Sequence, residues 1–171
     1  PAPASQLLFR SNEYSFGEIS ERLGAPFILK IPDGSFSVGM HKVASDEELR
    51  AALLPDAGAI TPVDVSADGV TEAYKGEAYG VVIYAQAEGF YKKPVTAAVG
   101  FDGVITGVYI DASNETADVG GQVGRPRFAG QFVGKTSLDG VDAVAGATIS
   151  SNAAMDAVQK AIDAFSTVKG A

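Results

Sequence analysis

Val95-Thr96-Ala97-Ala98-Val99-Gly100-Phe101-Asp102-Gly103-Val104-Ile105-Thr106-Gly107-Val108-Tyr109-Ile110 joins two runs of β-forming residues through a single Asp-Gly dipeptide. Val, Ile, Tyr and Phe suit a pleated surface, and Asp-Gly supplies the positive φ angles of a tight hairpin turn. The pattern predicts an antiparallel pair, Val95–Phe101 with Val104–Ile110. Upstream, Gly80–Ala87 reads as a further strand of the same β region, which starts at Tyr79. Downstream, Ala154, Ala157, Val158, Ala161, Ile162 and Phe165 recur at helical spacing and predict one buried face of an amphipathic helix. Ser150 or Ser151, the hydroxyl residues just before that pattern, are its expected N-cap.

Earlier in the chain, Ser15-x-x-Glu18 and Ser45-x-x-Glu48 read as capping boxes. The first predicts a short helix through Ile19 and Leu23, and the second a helix running to Leu54, broken by Pro55 and Gly58. Phe27–Ile31 and Ser35–Met40 are strand candidates around the turn Pro32-Asp33-Gly34. Strands and helices are mixed without βαβ alternation. The fold class read from this is α+β, a mainly antiparallel sheet packed with helices.

The chain has 171 residues, enough for one domain with a substantial core. Its formal net charge of -8 repels phosphate backbones and anionic membranes, so no nucleic-acid partner is expected. With no Cys, disulfides, thiolate metal sites and iron–sulfur ligation are excluded, and one His, His41, cannot build a three-His metal site. No run approaches the ~18 apolar residues of a membrane helix. The chain opens Pro-Ala-Pro-Ala without Met, which suggests a processed product and an upstream export signal or anchor.

Chemistry concentrates in Asp142-Ala143-Val144-Ala145-Gly146-Ala147-Thr148-Ile149-Ser150-Ser151. Gly and Ala let a ligand approach the backbone closely, and the helix that follows offers unpaired N–H groups at its positive dipole end. Three hydroxyls stand at that mouth. The residue types alone leave two readings, helix capping and an anion site. The segment is neither a Walker loop nor a dinucleotide fingerprint.

Asp142-x-x-x-Gly146-Ala147-Thr148 resembles the flavinylation motif of the FMN-binding domain family. Three further segments match in order: Gly89-Phe90-Tyr91-Lys92-Lys93-Pro94 with the hairpin, Glu115-Thr116-Ala117-Asp118-Val119-Gly120, and Phe128-x-x-Gln131-Phe132-x-Gly134-Lys135. The likeness covers about residues 78–165. Ala145 stands where Ser or Thr is usual, Ala117 and Asp118 replace Pro and Gly, and Ser113 stands where His is common.

The resemblance implies FMN joined as a phosphoester to Thr148 by a flavin transferase, with Asp142 serving the transferase's recognition. It further implies that Glu115 and Thr116 line the flavin ring, that Val119 packs on it, and that Lys135 sets a cation near phosphate or ring. Gly146, Ala147, Ile149 and Ser150 complete the cofactor loop. Arg125 and Arg127 are expected in solvent, and Phe90 and Tyr91 either shield the flavin or merely pack. The expected division is an N-terminal lobe, 1–77, of unassigned role and an FMN-binding domain, 78–171. The implied activity is electron transfer outside the cytoplasm. Its partners would be redox subunits of an Rnf-like membrane complex, with membrane association through a missing N-terminal anchor or through those subunits. The alternative is a non-redox ligand-binding module without covalent flavin. A serine hydrolase is disfavoured because no His lies near a Ser motif.

Overall fold

The computed structural model describes residues 27–30, 40–43 and 45–170, with side chains from Ser45 onward. Strands β1 (Phe27–Lys30) and β2 (Met40–Val43) pair antiparallel, in register from Phe27↔Val43 to Lys30↔Met40. Of the expected strand Ser35–Met40 only Met40 is described, and the described strand continues from it to Val43. The helix expected after Ser15 lies outside the described residues. Helix α1 (Asp46–Leu53) starts as the capping box predicts, the Ser45 hydroxyl accepting the Glu48 N–H at 3.2 Å.

Five strands form an antiparallel meander in which every strand neighbours the next: β3 (Ile60–Val63), β4 (Val70–Gly76), β5 (Val81–Glu88), β6 (Pro94–Asp102) and β7 (Val104–Asp111). The mainly antiparallel α+β class read from the sequence is the class observed. Gly103 tips the β6–β7 turn at φ 73°, between the paired Asp102 and Val104. β3 and β4 had no strand signal singled out in the sequence, and the sheet they join continues across residues 77 and 78.

Period-two alternation sends β5 and β6 side chains to two cores. Ile83, Ala85, Ala97 and Val99 face the long helix α3 (Thr148–Gly170), whose Ala154, Ala157, Val158 and Ala161 are fully buried against them. Ile162 and Phe165 of the predicted face are half-buried, and Phe165 stacks on Phe101 with centroids 4.9 Å apart. Alanines on both sides let helix and sheet approach closely, which accounts for a core built of small residues. On the opposite face Val82 and Ala98 pack with Leu53, Leu54 and Ala57 around α1. Burial there pushes the hydroxyls of Tyr84 and Tyr109 above the usual tyrosine range, so both stay neutral.

The α1 end presses on the sheet at Gly100, where a Cβ would collide with the Leu53 carbonyl oxygen, while Thr106 Oγ1 donates to that oxygen at 2.5 Å. Gly100→Ala must displace backbone and is expected to cost about 1–3 kcal/mol, measurable as a lower urea midpoint at unchanged slope. Among the described residues no helix is long and apolar enough to cross a membrane.

Candidate functional site

Between β7 and α3 the chain wraps the outer edge of the sheet. A 3-10 turn (Gly120–Gly124), helix α2 (Pro126–Ala129) and a second 3-10 turn (Gly130–Phe132) follow one another. Pro126 opens α2 at a position where a missing N–H costs nothing. Val123, Phe128 and Phe132 anchor the wrap in the core, the two rings edge-to-face at 5.4 Å. Ile105 closes the β7 edge with two bonds, accepting from Gly134 N–H at 2.8 Å and donating to Lys135 O at 2.9 Å.

This wrap holds the loop before α3. The Gln131 amide donates to Asp142 O at 3.1 Å and accepts Asp142 N–H at 2.9 Å, a two-point backbone clamp. Gly146 takes φ 79°, a left-handed angle that glycine adopts without penalty. Ala147 then caps the helix, its carbonyl receiving the first helical bond from Ser151 N–H at 2.8 Å. Helix α3 therefore starts two residues before Ser150, and neither Ser150 nor Ser151 is the cap. Both are buried inside the first turn, with hydroxyls committed elsewhere. Ser151 Oγ accepts Val144 N–H at 3.0 Å, folding the loop back onto the helix. Removing the clamp by Gln131→Ala is expected to destabilise the fold by about 1 kcal/mol. Faster amide exchange across residues 141–147, with β5 and β6 unchanged, would check it.

Where this helix start meets the Glu115–Gly120 loop and the β5–β6 turn, a cleft of about 350 Å³ opens. Phe90, Glu115, Thr116, Val119 and Gly120 line one part of it, and the run Gly146–Ser150 lines the other. Such a volume suits a small-molecule ligand. Thr148 is exposed at the first position of α3. The N–H groups of Thr148, Ile149 and Ser150 precede the first helical bond and face the helix entrance. Phe90, Val119 and Ile149 are exposed hydrophobic side chains gathered around this one cleft, whereas such residues scattered singly would need no explanation.

Glu115 is the strut of the cleft. Only 7% exposed, it accepts Phe90 N–H at 3.0 Å through Oε1 and the Ser150 hydroxyl through Oε2. One carboxylate thus ties the β5–β6 turn to the first turn of α3. Space for it depends on two glycines: a Cβ at Gly89 would strike Oε1, and one at Gly120 would strike Oε2 and the Ser150 hydroxyl. The Tyr91 and Thr116 hydroxyls, 3.0 Å apart, make a second tie beside it.

The structure therefore brings Glu115, Thr116, Val119, Gly146, Ala147, Thr148, Ile149 and Ser150 to one cleft. Lys135 is not brought there. Its ammonium binds the Asp139 carbonyl at the far edge of β7, because residues 134–135 are drawn onto Ile105. Asp142 lies outside the cleft with an exposed side chain, held by its backbone alone. Arg125 and Arg127 are exposed, as expected. Phe90, expected either to shield a flavin or merely to pack, lines the cleft, while sequence reasoning left three roles unassigned: Gln131 as a clamp, Ser151 as a loop fastener and Gly89 as space for a carboxylate. Gln131 stood in a matched motif, but nothing local pointed eleven residues ahead to Asp142.

Comparison with known proteins identifies the family. The family model described as the FMN-binding domain matches residues 91–163. A relative from Methanosarcina acetivorans, the G component of an ion-translocating oxidoreductase complex, is 34% identical over 146 aligned positions. That alignment takes in 72% of this chain and 77% of the relative. No solved structure gives a significant match.

Proposed function

Since the chain belongs to the FMN-binding domain family, we propose that it is an extracytoplasmic electron-transfer subunit carrying FMN as a phosphoester on Thr148. The observation that carries the reading is the exposed Thr148 hydroxyl at the helix entrance, on the wall of a cleft with apolar sides. The residues present fit FMN. The first-turn N–H groups of α3 suit a phosphodiester anion. Phe90, Val119 and Ile149 suit an aromatic ring system that must be partly shielded yet reachable. Glu115 keeps the two halves of the cleft at a fixed separation.

When bound, FMN supplies reversible electron exchange. The protein's share is placement. Thr148 Oγ1 tethers the phosphate end and the α3 dipole favours its charge. In a chain of net charge -8 these local dipoles matter, since the Lys135 ammonium bonds the Asp139 carbonyl and Lys135 does not line the cleft. Attachment forms an O–P bond at Thr148 Oγ1 and displaces the hydroxyl proton. The phosphoryl group must arrive activated, as an anhydride whose other half leaves on a flavin transferase. The exposed Asp142, its backbone clamped by Gln131, is free to be read by that enzyme.

The named relative belongs to an ion-translocating oxidoreductase complex. On that basis the partners proposed for this chain are redox subunits of an Rnf-like membrane complex. The flavin-bearing unit is residues 78–171, its sheet extended by β3 and β4, with the remainder of 1–77 as an accessory lobe. A non-redox ligand module is the competing reading. Co-production with a flavin transferase separates the two: the carrier gains the mass of one FMN less one water and turns yellow. An unchanged mass and colourless protein would sink the carrier reading.

A further inference from the structure

Beside the cleft, the turn between β5 and β6 carries an unusual surface. It is closed by Gly89 N–H to Lys93 O at 2.8 Å and by Lys92 N–H to Gly89 O at 3.1 Å. Phe90 and Tyr91 are 56% and 55% exposed and pack edge-to-face on each other, centroids 5.0 Å apart, rather than on the core. Lys92 and Lys93 are exposed, and neither pairs with a carboxylate among the described residues. Lys92 moreover holds a left-handed backbone, φ 56°, so a cation occupies a position that favours glycine.

The tip is not a loose loop. Phe90 N–H binds the buried Glu115 carboxylate, and Tyr91 meets Thr116, so aromatic rings and cations are presented in fixed geometry. Phe90 is itself a wall of the cleft, so whatever covers the tip also covers the cleft mouth. Two adjacent unpaired cations oppose the background of a protein with net charge -8. An aromatic centre with a charged rim is the composition of a docking patch.

We propose that the Phe90–Lys93 tip is the docking surface for an electron-exchange protein whose redox group is rimmed by carboxylates. The proposal rests on the flavin-carrier reading for its purpose, but the anion-attracting surface is a property of the chain alone. Charge complementarity identifies the partner class: on a chain of net charge -8, the two adjacent cations of the tip attract a carboxylate-rimmed surface and orient the encounter toward the adjoining cleft.

Two measurements test it. In the flavin-free protein, hexacyanochromate(III), a paramagnetic trianion, should broaden amide resonances of residues 89–94 first, and Lys92→Glu/Lys93→Glu should abolish that broadening. In the flavinylated protein, reduced plant-type 2Fe–2S ferredoxin serves as an acidic one-electron donor, giving one electron per encounter to the flavin. The double variant, at equal flavin content, should slow flavin reduction about tenfold at low ionic strength, with the difference vanishing at high salt. Broadening centred elsewhere, or reduction rates equal at low salt, overturns the proposal. Failure to flavinylate would instead count against the carrier reading and leave the anion map standing.

Discussion

Thr148→Ala is expected to abolish covalent flavin entirely while leaving the fold intact. Thr148 is exposed and its hydroxyl has no protein partner among the described residues, so removing it takes away a nucleophile and little else. Helix α3 is capped by Ala147 and fastened by Ser151, neither of which depends on position 148. Alanine is moreover a good helix former. The fluorescent flavin band of the denatured protein should vanish, with apo stability unchanged within about 0.5 kcal/mol. Thr148→Ser keeps a hydroxyl at the same backbone position and is expected to retain attachment at a lower yield.

Glu115→Ala is expected to have the largest effect on stability within the site. The change strips acceptors from the Phe90 N–H and the Ser150 hydroxyl together, inside a space that glycines at 89 and 120 keep tight. Each abandoned buried donor costs about 1–3 kcal/mol, and the two together about 2–4 kcal/mol once partial rehydration is allowed. Glu115→Gln makes an informative control. Its amide oxygen still accepts Phe90 N–H, and its NH2 can donate to a rotated Ser150 hydroxyl, so the loss should stay below about 1 kcal/mol. Urea titration of both flavin-free variants checks the ordering. Equal losses would contradict this ordering, because Gln keeps the bulk and an acceptor for Phe90 N–H that Ala lacks.

What the sequence disclosed, and what it hid, follows from how local each signal is. Asp102-Gly103 and the Ser45–Glu48 box act within four residues, and both appear where expected. The α3 periodicity was equally local and gave the buried Ala and Val face. Its start was not, because Ser150 and Ser151 spend their hydroxyls on Glu115 and Val144 rather than on capping. β3 carries Pro62, and β4 has a register shift between Val70 and Glu72 that spoils strict alternation, so neither shows a clean period of two. Tertiary pairing supplies what the pattern lacks.

The candidate site was legible only through the family resemblance. Physical reading of Asp142–Ser151 stopped at a choice between cap and anion site, and the cleft adds walls that lie 28–58 residues before Thr148 in sequence. The expected cation at Lys135 failed to reach the cleft because its backbone completes the β7 edge. Glu115, expected to face a ring, has both oxygens engaged by protein donors, which makes it structural before it is anything else.

The central claim is that one hydroxyl carries the flavin. Trypsin should release residues 136–160 as a single peptide, since no Lys or Arg interrupts that run before Lys160, and it holds Thr136, Ser137, Thr148, Ser150 and Ser151 together. Fragmentation of that peptide from protein co-produced with a flavin transferase should place the FMN phosphoester on Thr148 alone. A flavin mapped to any of the other four hydroxyls, or lost without trace on denaturation, would contradict the account.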